Sequence, residues 1–561
     1  QNLDSTCYKI TGEFDKDKKV KSRVDIYGNA GDALSVGGWA KGSSVPLSDN
    51  RAFEIGLELV GETTQYVSIP FNEDSSEWQY VCDKVIAEDD FWYINFIIRY
   101  SNNLNEAYFD GMQLYKEKFG STFGYDVNGN LTGMTGLLDD PSQLQYNANN
   151  DLTSVTAPEG NTLNLVYDTS HNLLNMTSQQ NVVKSFTYDS YGNVLTEKVG
   201  NDTQFIKSSN TYTTDGNYIK TSTNPSGNVV IYNYDTQKGT LTSLVDPKTK
   251  TTNYTYDSLD RMTEVYKTVD GVQAKNTYAY ENDKMKTITH NGFSYSFNYD
   301  SLGNNTQMKV GTQPLITNTY ESRTSRLLES TFGNSQKIGF TYDNLDRVLS
   351  KSYNENVRFK YSYDNNGNLG YHEDLVNGTT FRYSYDLEDK LTEIKDSKGN
   401  SINYVYDKNS RKTSTVEKAG SNTYTTGYLY DGDDRLTTVN MHNGSSIGYS
   451  YDILDRLSSK IINTGSAQFN TSLTYRTGVN GSSTEDVQSI NNNGNTISYT
   501  YDANGNIETI TQNGKQIKYY YNELNELKRE DNQVINKTIT YTYDVGGNIE
   551  SKVEYNYTTS T

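Results

Sequence analysis

Four histidines, two cysteines and 70 aspartates and glutamates are the residues of this chain that could carry acid–base, nucleophilic or metal chemistry. The histidines (His171, His290, His372, His442) are scattered one per several turns, and none stands in a His-x-x-x-His pair. No Cys-x-x-Cys or Gly-x-Ser-x-Gly element occurs, so a zinc site and a nucleophile elbow both lack their ligands or their turn. No glycine-rich loop leads into a helical pattern that could cradle phosphate. Carboxylates are so numerous that any pair chosen as a glycosidase acid and base is uninformative. The repeat aspartates sit where a turn needs an aspartate, which accounts for them structurally. No Asp-x-Asp-x-Asp-Gly loop supports calcium binding by the turns. The expectation is a chain with no catalytic residues and no cofactor.

Composition narrows the class further. The 561 residues carry a formal net charge of −20 and a pI near 4.8, which opposes binding to nucleic acid or to an anionic membrane. Mean hydropathy is −0.78, and no apolar run is long enough to span a bilayer. Only 34% of residues are apolar, yet 49 tyrosines and 17 phenylalanines argue for packed structure over disorder. Cys7 and Cys82 allow one bridge at most, or two buried thiols, and a secreted home is compatible with either. Gln1 opens a polar stretch with no signal peptide, which suits a mature chain or an excised piece of a longer one.

The elements that hold these residues fall into two regions. Residues 1–118 contain all three tryptophans and both cysteines. Strict alternation in Phe53–Leu59 and Trp92–Tyr100 predicts strands with one face in a core, and their spacing predicts an antiparallel β-sandwich. From 119 to 561 the chain repeats. A tyrosine, usually followed by aspartate, recurs at 20 positions from Tyr125 to Tyr543 with a mean spacing of 22 residues. Tyr125-Asp126-Val127-Asn128-Gly129-Asn130 is the fullest form, and Tyr188-Asp189, Tyr299-Asp300, Tyr363-Asp364, Tyr501-Asp502 and Tyr543-Asp544 begin the same pattern. Tyr256-Asp257 and Tyr451-Asp452 begin a variant in which Asp-Arg replaces Gly-Asn. Aspartate opens a type I turn, and the glycine or aspartate three residues on tolerates positive φ. Alternation before and after the turn predicts two strands per repeat, about 40 in all, with a return turn such as Lys398-Gly399 or Asn513-Gly514 between repeats. So wide a twisted sheet must curl. Tyrosine suits such a thin wall, with its ring packed and its hydroxyl left in water; neighbouring rings would form ladders.

The Tyr-Asp-x-x-Gly-Asn motif at this period resembles the YD-repeat (Rhs) family over residues 120–561. The resemblance implies a spiralling β-sheet shell, of the kind that in bacterial polymorphic toxins holds a C-terminal toxin and in wall-associated proteins and teneurins stands outside the cell. It implies as partners a plug and toxin cargo of the full-length protein, and a secreted, extracellular or cell-wall location in a Gram-positive bacterium. The family's toxins close with an Asp-Pro-x-Gly-rich segment that cleaves itself. Asp-Pro occurs here only at Asp140-Pro141 and Asp246-Pro247, so encapsulation and self-cleavage cannot be placed on residues of this chain.

Ser35-Val36-Gly37-Gly38-Trp39, Glu77-Trp78-Gln79-Tyr80-Val81 and Tyr108-Phe109-Asp110-Gly111-Met112-Gln113-Leu114 resemble the jelly rolls of carbohydrate-binding modules, with fewer strands visible than a full eight. That resemblance makes Asp110 a candidate ligand of one structural calcium. The tryptophans are expected in the core, Trp92 with Ile94, Phe96 and Ile98. The opposite face carries Tyr93, Asn95 and Arg99, an aromatic with hydrogen-bonding groups beside it, and is the candidate sugar-binding face. The expected architecture is all-β, a sandwich followed by a long antiparallel spiral. The expected role is a non-catalytic shell segment, with an adhesin that grips cell-surface glycan as the alternative.

Overall fold

In the computed structural model, residues 7–13, 15–42, 51–72, 75–116, 121–138, 140–269, 271–290, 292–364, 366–544 and 547–559 are described. The boundary expected between residues 118 and 119 lies outside them. The chain separates into two compact units, Gln1–Gly124 with Gly133–Pro141, and Tyr125–Thr132 with Ser142–Thr561. Strands account for nearly all regular structure in both. Among the described residues the one helical turn is a 3-10 turn at Val479–Gly481.

Among the described residues the sandwich of the first unit has eight strands: β1 (Tyr8–Thr11), β2 (Lys19–Val24), β3 (Ala33–Gly42), β4 (Ala52–Gly61), β5 (Thr64–Pro70), β6 (Gln79–Ile86), β7 (Phe91–Ser101) and β8 (Glu106–Tyr115). They form two antiparallel sheets, ordered β1-β8-β3-β6 and β2-β7-β4-β5. Leu34, Val36 and Phe109 from the first sheet meet Phe53, Ile55, Leu57, Ile94 and Ile98 from the second in one apolar core. Trp92 is not part of it and is 61% exposed. The cause is a bulge. Val60 pairs with Tyr93 and Gly61 with Phe91, so Trp92 has no partner across the ladder and Phe91 takes the core position. Cys7 and Cys82 are free and exposed, which removes both the expected bridge and the expected burial.

In the second unit each strand pairs antiparallel with the next, in chain order. Every repeat therefore places its Tyr-Asp turn on one rim of the sheet and its return turn on the other. At the Tyr-Asp turns the sequence is read directly into backbone. Gly129 N–H donates to Asp126 O (3.1 Å), Asp126 N–H donates to Asn130 O (3.0 Å), and Gly129 has φ 84°. Where the motif lacks glycine, Asp260, Asp346, Asp434 and Asp455 take φ of 57–67°, as does His171 at 64°. A register shift falls at the anchor tyrosine in most of these hairpins, for example between Thr255 and Tyr256.

Most of the anchor tyrosines do not leave their hydroxyls in water. Tyr256 donates to Leu241 O (2.8 Å), Tyr342 to Leu327 O (2.7 Å), Tyr406 to Leu391 O (2.9 Å) and Tyr543 to Leu527 O (2.8 Å). The acceptor is a strand residue just past the preceding repeat's turn, so each repeat is tied to the one before it. The expected tyrosine ladder is likewise replaced in the Asp-Arg repeats. Arg261 lies over Tyr280 (4.6 Å), Arg347 over Tyr363 (4.7 Å), Arg435 over Tyr451 (4.6 Å) and Arg456 over Tyr475 (3.9 Å). Each such contact is worth about 0.5–1 kcal/mol.

Tyr406→Phe removes a donor and leaves the Leu391 carbonyl without it, so denaturant unfolding should show a loss of about 1 kcal/mol. Tyr404→Phe, two residues earlier on the same face, should cost less. Equal losses would show that the ring alone carries the anchor.

Candidate functional site

The sheet of the second unit returns on itself. Strand Phe205–Tyr212 meets strand Ser483–Asn492 through a parallel bridge of Ile206 with Ser483, and this closes a ring of 26 strands. On either side of the bridge the return turns of early repeats lie along the Tyr-Asp turns of repeats 250–275 residues later. This seam is the site that the fold builds, and neither the motif nor its period points to where it falls.

Its contacts are specific. Asn161 Nδ2 donates to Gly432 O (2.7 Å), and Glu159 N–H donates to Asn409 Oδ1 (2.9 Å). Asp433 accepts from Ser178 Oγ (2.5 Å) and from Gln180 N–H (3.0 Å). Lys207 N–H donates to Ser482 Oγ (3.0 Å), and Val479 N–H to Pro225 O (3.0 Å). Lys248 pairs with Asp502, and Lys250 with Glu523 at 3.3 Å. Val182, Ile206, Leu454 and Ile539 are the buried apolar side chains of the second unit among the described residues, and the first three stand at this seam. The wall elsewhere is half-buried tyrosine, threonine and asparagine.

The anchor aspartates serve their own turns. Asp126 Oδ1 accepts the N–H groups of Asn128 and Asn130 (both 2.9 Å) while Oδ2 accepts Asn130 Nδ2. Asp189 and Asp300 repeat this set with Asn193 and Asn304. Asp364 does so with Asn368, and Asp544 with Asn548. Asp257 and Asp452 use Arg261 and Arg456. Asp502 accepts from Asn506 and also faces Lys248 across the seam. The tyrosines Tyr188, Tyr363, Tyr451 and Tyr501 donate to carbonyls of the preceding repeat, whereas among the described residues Tyr125 and Tyr299 show no such bond. The donors around Asp126 and Asp300, led by the Asn130 and Asn304 side chains, hold these carboxyls below the ordinary 3.8. A carboxyl with a depressed folded pKa stabilises above the unfolded value and loses that contribution as pH falls through the folded one.

His372 is the one histidine set apart. It stacks on Tyr361 (5.1 Å) and Phe381 (5.6 Å), and its Nε2 is buried without a hydrogen-bond partner. Burial pushes its pKa below 6.5, against a smaller upward pull from Asp374. No group of three or more His, Cys, Asp or Glu side chains able to hold a metal occurs among the described residues.

In the first unit Tyr93, Asn95 and Arg99 share the outer face of β7, each already engaged. Arg23 lies 3.9 Å from the Tyr93 ring centre, Asn95 donates to Glu58 (2.9 Å), and Arg99 Nε bonds Asp17 (2.7 Å). The residue that the pattern did not single out is Glu54. It is nearly buried on this face and accepts from Tyr66 (2.8 Å), Ser68 and Arg99 (3.4 Å). Tyr66 crosses Gly56, where any Cβ would meet the tyrosine hydroxyl. Asp110 accepts the N–H of Gly111 (2.7 Å).

Comparison with known proteins agrees with this geometry. Residues 300–450 match the Teneurin YD-shell family model. The repeat and the closed sheet agree with that similarity to a YD shell. It is similar to the tRNA3(Ser)-specific nuclease WapA of Bacillus spizizenii, 27% identical over 216 residues, and to the tRNA nuclease WapA of Bacillus subtilis, 28% identical over 215. Each match covers 37% of this chain, which spans only 9% of those relatives' length. Among solved structures, the Photorhabdus luminescens Tc holotoxin pore matches 88% of this chain and 32% of its own, at 10% identity and a TM-score of 0.50. A TcdB2-TccC3-Cdc42 structure matches 80% of this chain and 30% of its own, at 12% identity and 0.49. The likeness is one of fold: this chain has the architecture of a shell scaffold.

Acidification should destabilise the sheet in two stages. The first begins below about pH 6.5, as unfolded chains protonate His372 more readily than folded ones do; the second lies below 3.8, where the turn carboxyls go. His372→Phe should abolish the first stage in a melting-temperature profile and leave the second. A profile unchanged by that substitution would count against the first.

Proposed function

We propose that this chain is a non-catalytic shell segment of a secreted bacterial YD-repeat protein, one that encloses cargo supplied by the C-terminal part of the full-length polypeptide. The observation that carries the reading is the seam: a sheet whose circuits are bonded rim to rim is a wall with an inside. The turn aspartates support a structural part for these carboxylates, since each accepts from donors of its own turn. The nuclease named for the WapA relatives belongs to proteins of which this chain covers a small part. On this reading the cargo and its plug are the partners. The protein works outside the cell, in the medium or at a Gram-positive wall, and as a polymorphic-toxin shell. No helix among the described residues is long and apolar enough to cross a membrane.

Limited proteolysis of the full-length gene product tests this. Segments following residue 561 should survive while the shell is intact, and should be digested when Lys248→Glu and Leu454→Asp open the seam. Digestion at the same rate in both would refute the enclosure.

A second reading rests on the first unit. Its strand order, β1-β8-β3-β6 against β2-β7-β4-β5, supports a complete jelly roll, and the outer face built on Glu54, Tyr66, Asn95 and Arg99 supports glycan binding. A glycan array with the intact chain and with Tyr66→Ala should show binding that the substitution removes; a blank array with the intact chain ends this reading.

A further inference from the structure

The two rims of the repeat sheet are built to fit each other beyond the stretch where they already meet. We propose that a second copy of this chain docks its Tyr-Asp rim on the return-turn rim of the first, by the contacts that join the circuits within one chain.

The seam supplies the rule. The side chain that lands is the third residue past an anchor tyrosine: Asn409, Asp433, Leu454 and Asn504 follow Tyr406, Tyr430, Tyr451 and Tyr501. Asn409, Asp433 and Asn504 hydrogen-bond across the seam, to Asn161, to Ser178 and Gln180, and to Asp246. Leu454 packs instead. It is 6% exposed and lies over Gly200, where a Cβ would come within 2.3 Å of Leu454 Cδ2. Val479 covers Gly227 in the same way, at 2.7 Å.

Outside the seam both halves of this contact stand open. The knob position holds Leu259, Leu302 and Leu345, which are 65%, 58% and 72% exposed. Their own turns do not require leucine, because Asn128 and Glu388 occupy the position in turns with the same backbone hydrogen bonds. On the other rim Gly292, Gly311, Gly378, Gly399 and Gly444 have nothing within 4 Å of where a Cβ would stand. Val376 and Phe469 are exposed on that rim as well. Apolar knobs at regular spacing are surface that water penalises and a partner would cover. The occupant is a second copy because the matching surface is on this chain: the seam is the established interface, and these rims continue it. Knobs on one rim and seats on the other make the contact heterologous, so copies add head to tail without closing.

Sedimentation velocity on the whole chain over a concentration series tests the proposal. The wild type should show a weight-average sedimentation coefficient that rises with concentration. A knob variant (Leu259→Glu, Leu302→Glu, Leu345→Glu) should stay monomeric, and so should a seat variant (Val376→Glu, Phe469→Glu). All five positions are exposed, and unchanged circular dichroism and melting would confirm that both variants fold. An equal mixture of the two keeps one intact pair of rims, so it should form a one-to-one complex and nothing larger. A wild type that is monomeric at every concentration overturns the proposal, as do knob variants that associate like the wild type and a mixture that stays monomeric.

Discussion

The repeat sheet depends on one bond, the tyrosine hydroxyl that donates to a carbonyl of the preceding repeat. Wall strands here have no second layer, and the half-buried pattern of nearly every one shows how little apolar burial holds them. A backbone carbonyl on such a surface would otherwise be satisfied by water and contribute nothing to register. By accepting from Tyr256, Tyr342 or Tyr406 it fixes the spacing between consecutive hairpins. Because a shift of one residue turns every side chain to the other face, a bond that recurs in most repeats protects the sheet from slipping.

Arginine adds a second tie in the repeats that lack glycine. Arg261 bonds Asp257 of its own turn, bonds Asp283 of the next and stacks on Tyr280. Aspartate in place of glycine costs a strained φ at Asp260. The arginine beside it offsets that strain with contacts to the neighbouring repeat. Glycine repeats and Asp-Arg repeats are thus two solutions to one turn, the first relying on a relaxed backbone and the second on charge and stacking.

The all-β class, the tyrosine period and the positive-φ positions were legible because each is a local property of a few adjacent residues. His171 shows how far this went: it stands where glycine stands elsewhere, and its backbone follows the position, not the residue type. Trp92 was misplaced because a bulge inverts the alternation of β7, and a bulge depends on the partner strand. The hydroxyl bonds were missed because the acceptor is a carbonyl, which has no sequence signature. Glu54 was missed for a similar reason: its three donors come from two other strands. The seam was beyond reach because the number of repeats per circuit follows from accumulated twist, and twist is not written in any one repeat.

One local clue to the seam was nevertheless present, in the irregular repeats. Tyr475 and Tyr501 are 26 residues apart where the mean is 22, and the insertion holds Gly478, Val479 and Gly481. Those residues make the 3-10 turn whose Val479 reaches Pro225, and the strand that follows makes the bridge to Ile206. A strictly periodic ribbon presents the same rim everywhere and has no preferred place to meet itself. A longer turn at one position breaks that degeneracy, because only there can backbone project far enough to pair with the neighbouring circuit. Gly478 fits this role, since a Cβ there would collide with Pro225 O at 2.0 Å. Departure from the period is therefore where closure is specified. In repeat proteins of this kind the aberrant repeat carries more information about the assembled wall than the regular ones do.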